Sequence, residues 1–276
     1  MRWSDLRQSS NVEDRRGLGG GRGLALGGGG IATLILAAVI YLCGGDPSQL
    51  LDGGSAPPPV PSSGTAANKS TAPDQNRQFV GALMGNLEDT WRQILPAQGR
   101  VRYQDPKLVL FTNQVSSACG YASAATGPFY CPGDQKLYLD FAFFDELRRE
   151  FKSPGDFAQA YVIAHEFGHH IQNLTGVMDK VQQSGNNPRL SVALELQADC
   201  YAGIWANSFA KQNRVEAGDA EEAIRAAQAV GDDMIQKRTQ GYVIPDSFTH
   251  GSSQQRMQYF TKGFQTGDMK QCQTFR

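Results

Sequence analysis

The sequence predicts an α+β fold that is mainly helical, with a small sheet and one transmembrane helix ahead of the folded domain. Three observations carry this prediction. Apolar residues at helical spacing fill most of the second half of the chain. Two short apolar or alternating runs, 107–112 and 136–140, are typical of buried strands. A stretch of twenty residues without a charge, 24–43, precedes a proline-rich segment.

The uncharged stretch 24–43 is long enough to cross a bilayer. As a helix it would span roughly 30 Å, the thickness of a hydrocarbon core. Arginines precede it and acidic residues follow it, so the positive-inside rule predicts that 1–23 is a cytoplasmic segment. We therefore expect a single-pass inner-membrane protein that contacts the lipid bilayer through 24–43 and carries an extracytoplasmic (periplasmic) domain. A cleaved signal peptide is the alternative.

The folded domain is predicted to cover 76–276. The preceding segment, 44–75, is rich in proline, serine and small residues, which is typical of a disordered linker. Apolar positions from Phe79 to Leu95 predict the first helix of the domain, and Pro96 ends it. A formal net charge of −1 argues against a nucleic-acid partner.

Capping residues and periodicity predict the later helices. One of these helices, which is largely apolar from Phe157 to Ile171, starts at Ser153-Pro154 and stops at Thr175-Gly176. The segment 177–188 is expected to be a loop. Other helices are predicted at 143–151, from about 190 to 211, at 219–238, and after Ser252.

The helix from Ser153 carries an H-E-x-x-H pattern at His165, Glu166 and His169. Residues four apart lie on one helical face, so both imidazoles can bind one tetrahedral zinc ion. Glu166 is offset by one position, where it can take a proton from a metal-bound water without binding the metal. A helix with buried, hydrogen-bonded histidines is the alternative. Such side chains are costly to bury without partners.

Glu195 and Asp199 supply a second polar pair, again four residues apart in an otherwise apolar segment. Two like charges on one helical face in an apolar setting repel each other. A metal ion bound by Glu195 would compensate the charge of that carboxylate. A hydrogen bond from a zinc-bound histidine would compensate the charge of Asp199. We predict one zinc ion per chain, bound by His165, His169 and Glu195, with Asp199 orienting His165. A solvated acidic face is the alternative.

Four of the five cysteines lie in the predicted domain, which suits an oxidising compartment. We predict the disulfides Cys119–Cys131 and Cys200–Cys272. Each would stabilise the domain by about 3–5 kcal/mol in the chain-entropy model. Free core thiols are the alternative.

The zinc-site residues also carry a family resemblance. His165-Glu166-Phe167-Gly168-His169, followed by Glu195-Leu196-Gln197-Ala198-Asp199, resembles the gluzincin metallopeptidases. The segments at Met1–Arg7, Asn11–Arg16 and Thr249–Ser253, with Gln255-Arg256, are similar to the bacterial putative neutral zinc metallopeptidase family. The resemblance implies a zincin-like fold, in which the edge strand of a small sheet aligns substrate above the zinc-binding helix.

The resemblance also assigns roles to single residues. It matches His165, His169 and Glu195 to the metal ligands, and Glu166 to the general base. His250 matches an oxyanion-stabilising donor, although a structural role for this histidine is an equal alternative. Further candidates for the donor are Tyr121, Tyr130 and Tyr138.

These patterns predict a membrane-anchored zinc endopeptidase that acts on a protein or peptide substrate. Glu166 would accept a proton from the attacking water and pass it to the leaving amine. Two other classes stay open: a zinc-binding scaffold or adaptor without turnover, and a non-peptide zinc hydrolase. The predicted general base, Glu166, argues against the scaffold, because a protein that only binds zinc does not need a general base. A predicted edge strand at Leu137–Leu139 favours peptides, which can dock as an added strand.

Overall fold

The computed structural model describes residues 1–17, 74–123, 126–149, 155–185 and 187–275, which all belong to the unit formed by Met1–Gly19 and Pro73–Arg276. The predicted membrane segment 24–43 lies outside the described residues, and so does nearly all of the predicted linker 44–75. Within the part of the chain that the structure describes, no helix is long and apolar enough to cross a membrane.

Helices make up most of this unit, so the prediction of a mainly helical α+β fold is confirmed. The described residues form eight α-helices, and short turns of π- or 3-10 helix follow at Leu95–Gly99, Pro245–Ser247 and Met269–Cys272. The helices are α1 (Gln75–Ile94), α2 (Ala142–Arg149), α3 (Asp156–Leu174), α4 (Val177–Gln183), α5 (Pro188–Lys211), α6 (Asp219–Ala229), α7 (Asp232–Gln240) and α8 (Ser253–Thr266).

A four-stranded sheet lies against these helices, with the strand order β1-β2-β6-β5. Strands β1 and β6 both run parallel to β2, whereas β5 is antiparallel to β6. Strands β3 and β4 form a separate antiparallel hairpin. The bounds are β1 (Val12–Asp14), β2 (Lys107–Phe111), β3 (Gln114–Ser117), β4 (Gly120–Ser123), β5 (Phe129–Cys131) and β6 (Lys136–Asp140).

The two predicted strands, β2 and β6, form the centre of the sheet. Alternate side chains point to opposite faces of a strand. Leu108 and Leu137 therefore join the large core with the helices, while Val109 and Tyr138 pack in a smaller cluster on the other face. Burial on both faces explains why these strands read as apolar runs.

The position of β6 corrects one prediction. Leu137–Leu139 was expected to be an edge strand, but β6 pairs with β2 on one side and with β5 on the other. The edge on this side of the sheet is β5. The stretch before β6 reads as a glycine-rich loop, yet it contains β3, β4 and β5 because backbone pairing outweighs weak local propensity there.

Three helical segments also differ from the prediction. Helix α3 begins at Asp156 with Gly155 as its N-cap, rather than at Ser153. The predicted loop 177–188 contains helix α4. The single helix expected over 219–238 is two helices, because Gly231 has an extended backbone and a Cβ there would overlap the backbone of Ser253.

Both predicted disulfides are present. Cys119 bonds to Cys131, so the turn between β3 and β4 is fastened to β5, with the two Cα atoms 5.7 Å apart. Cys200 bonds to Cys272, which fastens the final 3-10 turn to α5 at a Cα separation of 5.6 Å. The second bridge lies next to Asp199 in the sequence, so it limits movement of α5 where that helix carries the polar pair.

The N-terminal segment belongs to the folded unit. Residues 1–17 pack with the helices, and β1 adds to the sheet beside β2 in the register Val12↔Leu108. The chain also runs close along α1, where Ser9 N donates to Gly81 O at 2.9 Å and a Cβ at Gly85 would overlap the backbone of Arg7. The domain bounds and the cytoplasmic location expected for 1–23 stay predictions.

A buried carboxylate holds this segment in place. Glu88 on α1 is 1% exposed, and its contacts come from the N-terminal segment. Ser9 Oγ lies 2.5 Å from Glu88 Oε1, Asn11 Nδ2 lies 2.9 Å from the same atom, and Arg7 donates to Oε2 at 2.9 Å. Removing one partner of a buried ion pair destabilises a fold much more than losing a surface pair does.

We expect Arg7→Met to lower the free energy of unfolding by about 1–3 kcal/mol, because it removes the charge that compensates buried Glu88. Urea unfolding monitored by circular dichroism measures this loss. Arg92→Met is the matched control on α1, because Arg92 pairs only at an exposed surface with Asp89 and Asp105. It should cost less than about 1 kcal/mol. Equal effects of the two variants would contradict the role of Arg7.

Candidate metal centre

Helices α3 and α5 approach each other closely at the H-E-x-x-H segment. Gly168 permits this approach, because a Cβ at that position would lie 3.0 Å from the carbonyl oxygen of Ala198 and 3.1 Å from its Cα. A larger residue would force the helices apart. The contact places the face of α5 that carries Glu195 directly opposite the two histidines of α3.

The side chains of His165, His169 and Glu195 converge at this contact. His165 Nε2 lies 3.1 Å from Glu195 Oε2, and His169 Nε2 lies 3.5 Å from Glu195 Oε1. Both histidines are buried. The structure thus brings together the three residues that were predicted as metal ligands from two separate helices.

This donor set fits zinc. Ligand atoms about 2.0–2.2 Å from a tetrahedral zinc ion lie about 3.3–3.6 Å from one another, close to the two observed separations. Imidazole nitrogens and a carboxylate are ordinary zinc ligands. Glu166 also has a carboxylate oxygen within 4.8 Å of both imidazoles. The two oxygens of Glu195 face the Nε2 atoms of both histidines, so Glu195 stays the predicted third ligand.

Outer hydrogen bonds hold both imidazoles in this orientation. His165 Nδ1 donates to Asp199 Oδ1 at 2.8 Å, and His169 Nδ1 donates to Gln172 Oε1 at 2.8 Å. Gln172 is itself held, since its Nε2 donates to Leu194 O at 2.7 Å. Each bond leaves Nε2 as the metal-facing nitrogen, the tautomer that a ligand histidine needs. Asp199 therefore lies beside His165, as its spacing from Glu195 predicted.

Asp199 also binds two residues that the sequence interpretation did not include in the site. Tyr161 OH donates to Asp199 Oδ1 at 2.5 Å. Arg256 from α8 binds both carboxylate oxygens, with Nε 2.9 Å from Oδ2 and a terminal nitrogen 2.9 Å from Oδ1. Burial alone would raise the pKa of Asp199, but the charges of Arg256 and His165 lower it below its usual range. Asp199 therefore stays ionised at the centre of this network.

One signal in the sequence pointed to Arg256. The buried positions of α8 are Arg256, Phe260 and Gly263, which follow a helical spacing of four and three. An arginine on that apolar face needs a buried acidic partner. The spacing alone does not say that the partner is Asp199, because that contact joins two helices that are far apart in the chain.

The charges of the centre couple metal binding to protons. Burial would lower the pKa of His165, but the carboxylates of Asp199 and Glu195 raise it to about 10 when no metal is bound. A zinc ion held by His165 and Glu195 would have to displace such a proton. The pKa of the Glu166 carboxyl group is also raised, in this case by burial itself.

A cleft of about 540 Å³ opens above the two histidines, and the partly buried side chain of Glu166 lines it. One part of the lining is the stretch Pro128–Tyr130, which includes most of the edge strand β5. Another part comes from the junction of α6 and α7, at Val230 and Ile235. The cleft therefore places a sheet edge beside the predicted ligands and general base.

His250 lies at the rim of this cleft. Its Nδ1 is 3.2 Å from Asp232 Oδ1 and 2.9 Å from Thr249 Oγ1. The other oxygen of Asp232 accepts backbone N–H groups from Thr249, His250 and Gly251 at 2.6–3.0 Å. The hydrogen bond with Asp232 raises the pKa of His250. Asp232 is a further residue that the sequence interpretation missed, and it fixes the loop on which His250 is presented.

The three tyrosines considered as alternative donors differ in position. Tyr130 lines the cleft, and its hydroxyl contacts His170 Nδ1 at 3.1 Å and Asn173 Nδ2 at 2.9 Å. Tyr138 instead donates to Asp134 at 2.6 Å from the smaller core cluster. Tyr121 is exposed on the separate hairpin. His170 donates to Gln104 O at 2.8 Å and contributes to packing rather than to the centre.

Two histidines and a carboxylate grouped beside a cleft are an arrangement typical of metal-dependent hydrolases. The family model described as "Putative neutral zinc metallopeptidase" matches residues 1–275, and the chain belongs to that family. The family name implies that the metal is zinc and that the reaction is peptide hydrolysis.

Curated relatives are similar over long stretches. "Uncharacterized protein YpfJ" of Escherichia coli (strain K12) is 44% identical over 288 aligned residues, covering 100% of this chain and 99% of the relative. "Uncharacterized protein Rv2575" of Mycobacterium tuberculosis (strain ATCC 25618 / H37Rv) is 43% identical over 220 residues, covering 74% of this chain and 73% of the relative. No solved structure matches the chain significantly.

We expect zinc affinity to fall in a defined order when the centre is changed. Glu195→Ala removes a ligand and should abolish stoichiometric zinc binding. Asp199→Asn keeps the ligands but disturbs the orientation of His165, which should weaken zinc binding about 10–100-fold. Competition with a chromophoric chelator measures both. Glu146→Gln, on the exposed face of α2, is the control and should bind zinc like the wild type. Full zinc occupancy in Glu195→Ala would remove Glu195 from the ligand set.

Proposed function

We propose that this protein is a zinc-dependent endopeptidase. The observation that carries the proposal is the position of Glu166 beside the His165–His169–Glu195 cluster, at the base of a cleft whose wall includes the edge strand β5. A site that only binds zinc has no need of an additional carboxylate facing a cleft. A zincin-like arrangement of helix and sheet edge is part of this proposal.

His165, His169 and Glu195 would hold the metal, which leaves room for a non-protein ligand on the cleft side. When bound, zinc supplies a Lewis acid that favours ionisation of water and polarises a peptide carbonyl. The chain orients this centre through Asp199 and Gln172, which fix the imidazoles. Buried Arg256 holds Asp199 in place.

Glu166 would act as the general base and then as the general acid. Burial raises the pKa of its carboxyl group, which brings a carboxylate closer to the range where it can both take and return a proton near neutral pH. The proton accepted from the attacking water would be passed to the amine of the leaving peptide. One residue can perform both transfers because it faces the cleft beside the cluster.

His250 would donate a hydrogen bond to the developing oxyanion. Asp232 engages Nδ1 of His250, so Nε2 is the nitrogen that would donate toward the substrate. A carboxylate partner also favours the protonated imidazole, which is the stronger donor. Tyr130 is the alternative donor, but its hydroxyl already contacts His170 and Asn173.

The substrate would bind in an extended conformation along β5. Among the residues that the structure describes, this strand pairs with β6 alone, and an extended peptide can add to such an edge through main-chain hydrogen bonds. Strand addition recognises backbone rather than a particular side chain, which favours peptides over small non-peptide substrates. The edge in question is β5 and not the interior strand at Leu137–Leu139.

We further propose that the domain works in an oxidising, extracytoplasmic compartment. The two disulfides favour such a location. Because β1 pairs with β2, residues 1–17 would have to occupy the same compartment. Contact with a lipid bilayer through 24–43 stays a prediction, and the proposal does not require a single crossing there.

We expect Glu166→Gln to retain zinc and to lose peptidase activity by about 100-fold to 10,000-fold, because the amide cannot accept the proton. Protein N-termini are compared by mass spectrometry in membranes that carry the wild type or the variant, and zinc is measured in both purified chains. New N-termini that depend on Glu166 support the peptidase.

Glu146→Gln provides the matched control, since it makes the same chemical change on an exposed face of α2. It should yield the same N-termini as the wild type. If wild type and Glu166→Gln hold equal zinc and yield identical N-termini, a scaffold or a non-peptide hydrolase becomes the better interpretation.

His250→Ala should reduce kcat by about 100-fold to 1,000-fold with little change in zinc content, because it removes an oxyanion donor but no ligand. Asp232→Asn should have a smaller effect in the same direction, since it disturbs the loop that presents His250. Steady-state kinetics on a quenched fluorescent peptide measure both variants. A kcat in His250→Ala equal to that of the wild type would transfer the role to another donor, with Tyr130→Phe as the next variant.

A further inference from the structure

A chain of hydrogen bonds runs from His169, a predicted zinc ligand, to the C-terminal segment. His169 Nδ1 donates to Gln172 Oε1 at 2.8 Å, and Gln172 Nε2 donates to Gln197 Oε1 at 3.1 Å. Gln197 Nε2 in turn donates to the backbone carbonyl oxygen of Cys272 at 3.0 Å. The chain therefore crosses from α3 to α5, and from α5 to the final 3-10 turn.

The members of this chain lie inside the protein. Gln172 and Cys272 are fully buried, and Gln197 is 3% exposed. A buried amide that loses its partner cannot turn to water instead, so each glutamine depends on the partners that the fold supplies. A change at one end of the chain therefore affects the groups further along it.

The Cys272 carbonyl fixes the direction of the whole chain. A backbone carbonyl can only accept, so Gln197 turns its NH₂ group toward Cys272 and its oxygen toward Gln172. Gln172 then turns its NH₂ group toward Gln197, an orientation that Leu194 O also favours by accepting at 2.7 Å. The oxygen of Gln172 is left facing His169 and requires a proton on Nδ1. The Nε2 atom of His169 is thereby kept free for a metal.

The disulfide Cys200–Cys272 holds that carbonyl in place. It fastens the final 3-10 turn to α5, the helix that also carries Gln197. Gln197 and Cys200 are three positions apart, so they share one face of α5. One residue of the turn thus supplies both a sulfur and an acceptor oxygen to this face. A hydrogen bond from Thr274 Oγ1 to Ala193 O, at 2.6 Å, adds to the attachment.

We propose that Gln197 is a positioning residue of the metal centre, which acts on His169 through Gln172, and that the disulfide Cys200–Cys272 keeps Gln197 in the orientation this requires. Zinc affinity then depends on a covalent bond that lies outside the ligand set. The proposal rests on His169 being a zinc ligand, as in the proposed function. The disulfide Cys119–Cys131 fastens a hairpin to β5 and has no member in this chain of bonds, so zinc affinity should not depend on it.

The first test replaces Gln197 by methionine, which has a similar length but cannot form either hydrogen bond. We expect zinc affinity to fall about 3–10-fold, which is less than the roughly 10–100-fold expected when a direct partner of a ligand is lost. Competition with a chromophoric chelator measures the change. Asn207→Leu is the matched control, because Asn207 also lies on α5 and donates to Phe264 O at 2.6 Å, outside the chain. It should bind zinc like the wild type.

The imidazole N–H resonances separate a local effect from a general loss of stability. They are recorded by NMR on zinc-loaded protein labelled with ¹⁵N at histidine. In Gln197→Met, the Nδ1–H proton of His169 should move upfield, because its hydrogen bond to Gln172 weakens. The Nδ1–H proton of His165 should keep its position, since Asp199 holds it.

Two pairs of substitutions test the disulfide. Cys200→Ser/Cys272→Ser should lower zinc affinity and shift the His169 resonance in the same direction as Gln197→Met. Cys119→Ser/Cys131→Ser should change neither. In a chain that already carries Gln197→Met, loss of the Cys200–Cys272 disulfide should lower zinc affinity by less than about twofold more, because both changes act through one chain of bonds. Substitution is used rather than a dithiol reductant, since thiolates bind zinc themselves.

Unchanged zinc affinity and an unchanged His169 resonance in Gln197→Met would overturn the proposal. Equal losses of zinc affinity in both serine pairs would overturn the role of the Cys200–Cys272 disulfide, since they would indicate general destabilisation. If that serine pair fails to fold, Gln197→Met and the His169 resonance decide the positioning role by themselves. A wild type that binds no zinc would overturn the proposed function together with this proposal. None of these measurements uses peptidase activity, so the two can fail separately.

Discussion

The close contact of α3 with α5 at Gly168 is the constraint on which the rest of the site depends. It brings a carboxylate from one helix to within 3.1 and 3.5 Å of two imidazoles on the other. Neither helix holds the complete ligand set, so the set exists only while the backbones stay this close. Helix α8 reinforces the arrangement, because Gly203 and Gly263 allow a second close backbone contact with α5. Glycine is required at these positions for approach between backbones rather than for flexibility.

Buried charge is organised around the same contact. Asp199 is fully buried and receives hydrogen bonds from three residues on two helices: Tyr161 and His165 on α3, and Arg256 on α8. A carboxylate in that position would be costly without these donors. The network ties the tautomer of His165 to the placement of α8, and the loop before α8 presents His250 at the cleft. Metal ligand, orienting carboxylate and rim histidine therefore depend on one packed helix.

Local sequence patterns predicted most of the helices and the two central strands because their signals, caps and apolar spacing, are themselves local. The same spacing placed His165, His169, Glu195 and Asp199 on matching faces. Contacts between distant segments left weaker traces. Strand β1 has no apolar run and forms only because β2 offers it an edge. The roles of Arg256 and Asp232 depend on partners in other elements, and Gly231 ends a helix whose amphipathic pattern continues past it.

The pairing of β1 with β2 also affects the order in which the protein can fold. Residues 12–14 leave the ribosome long before Leu108, their partner, has been made. Pairings between residues so far apart in sequence carry a large entropic cost and form slowly. A segment that is synthesised well before its partner is thus among the last to find its place. Until it does, one edge of β2 stays open and Glu88 lacks the partners that Arg7, Ser9 and Asn11 provide, so the newly made domain passes through a stage in which it is exposed to wrong strand pairing.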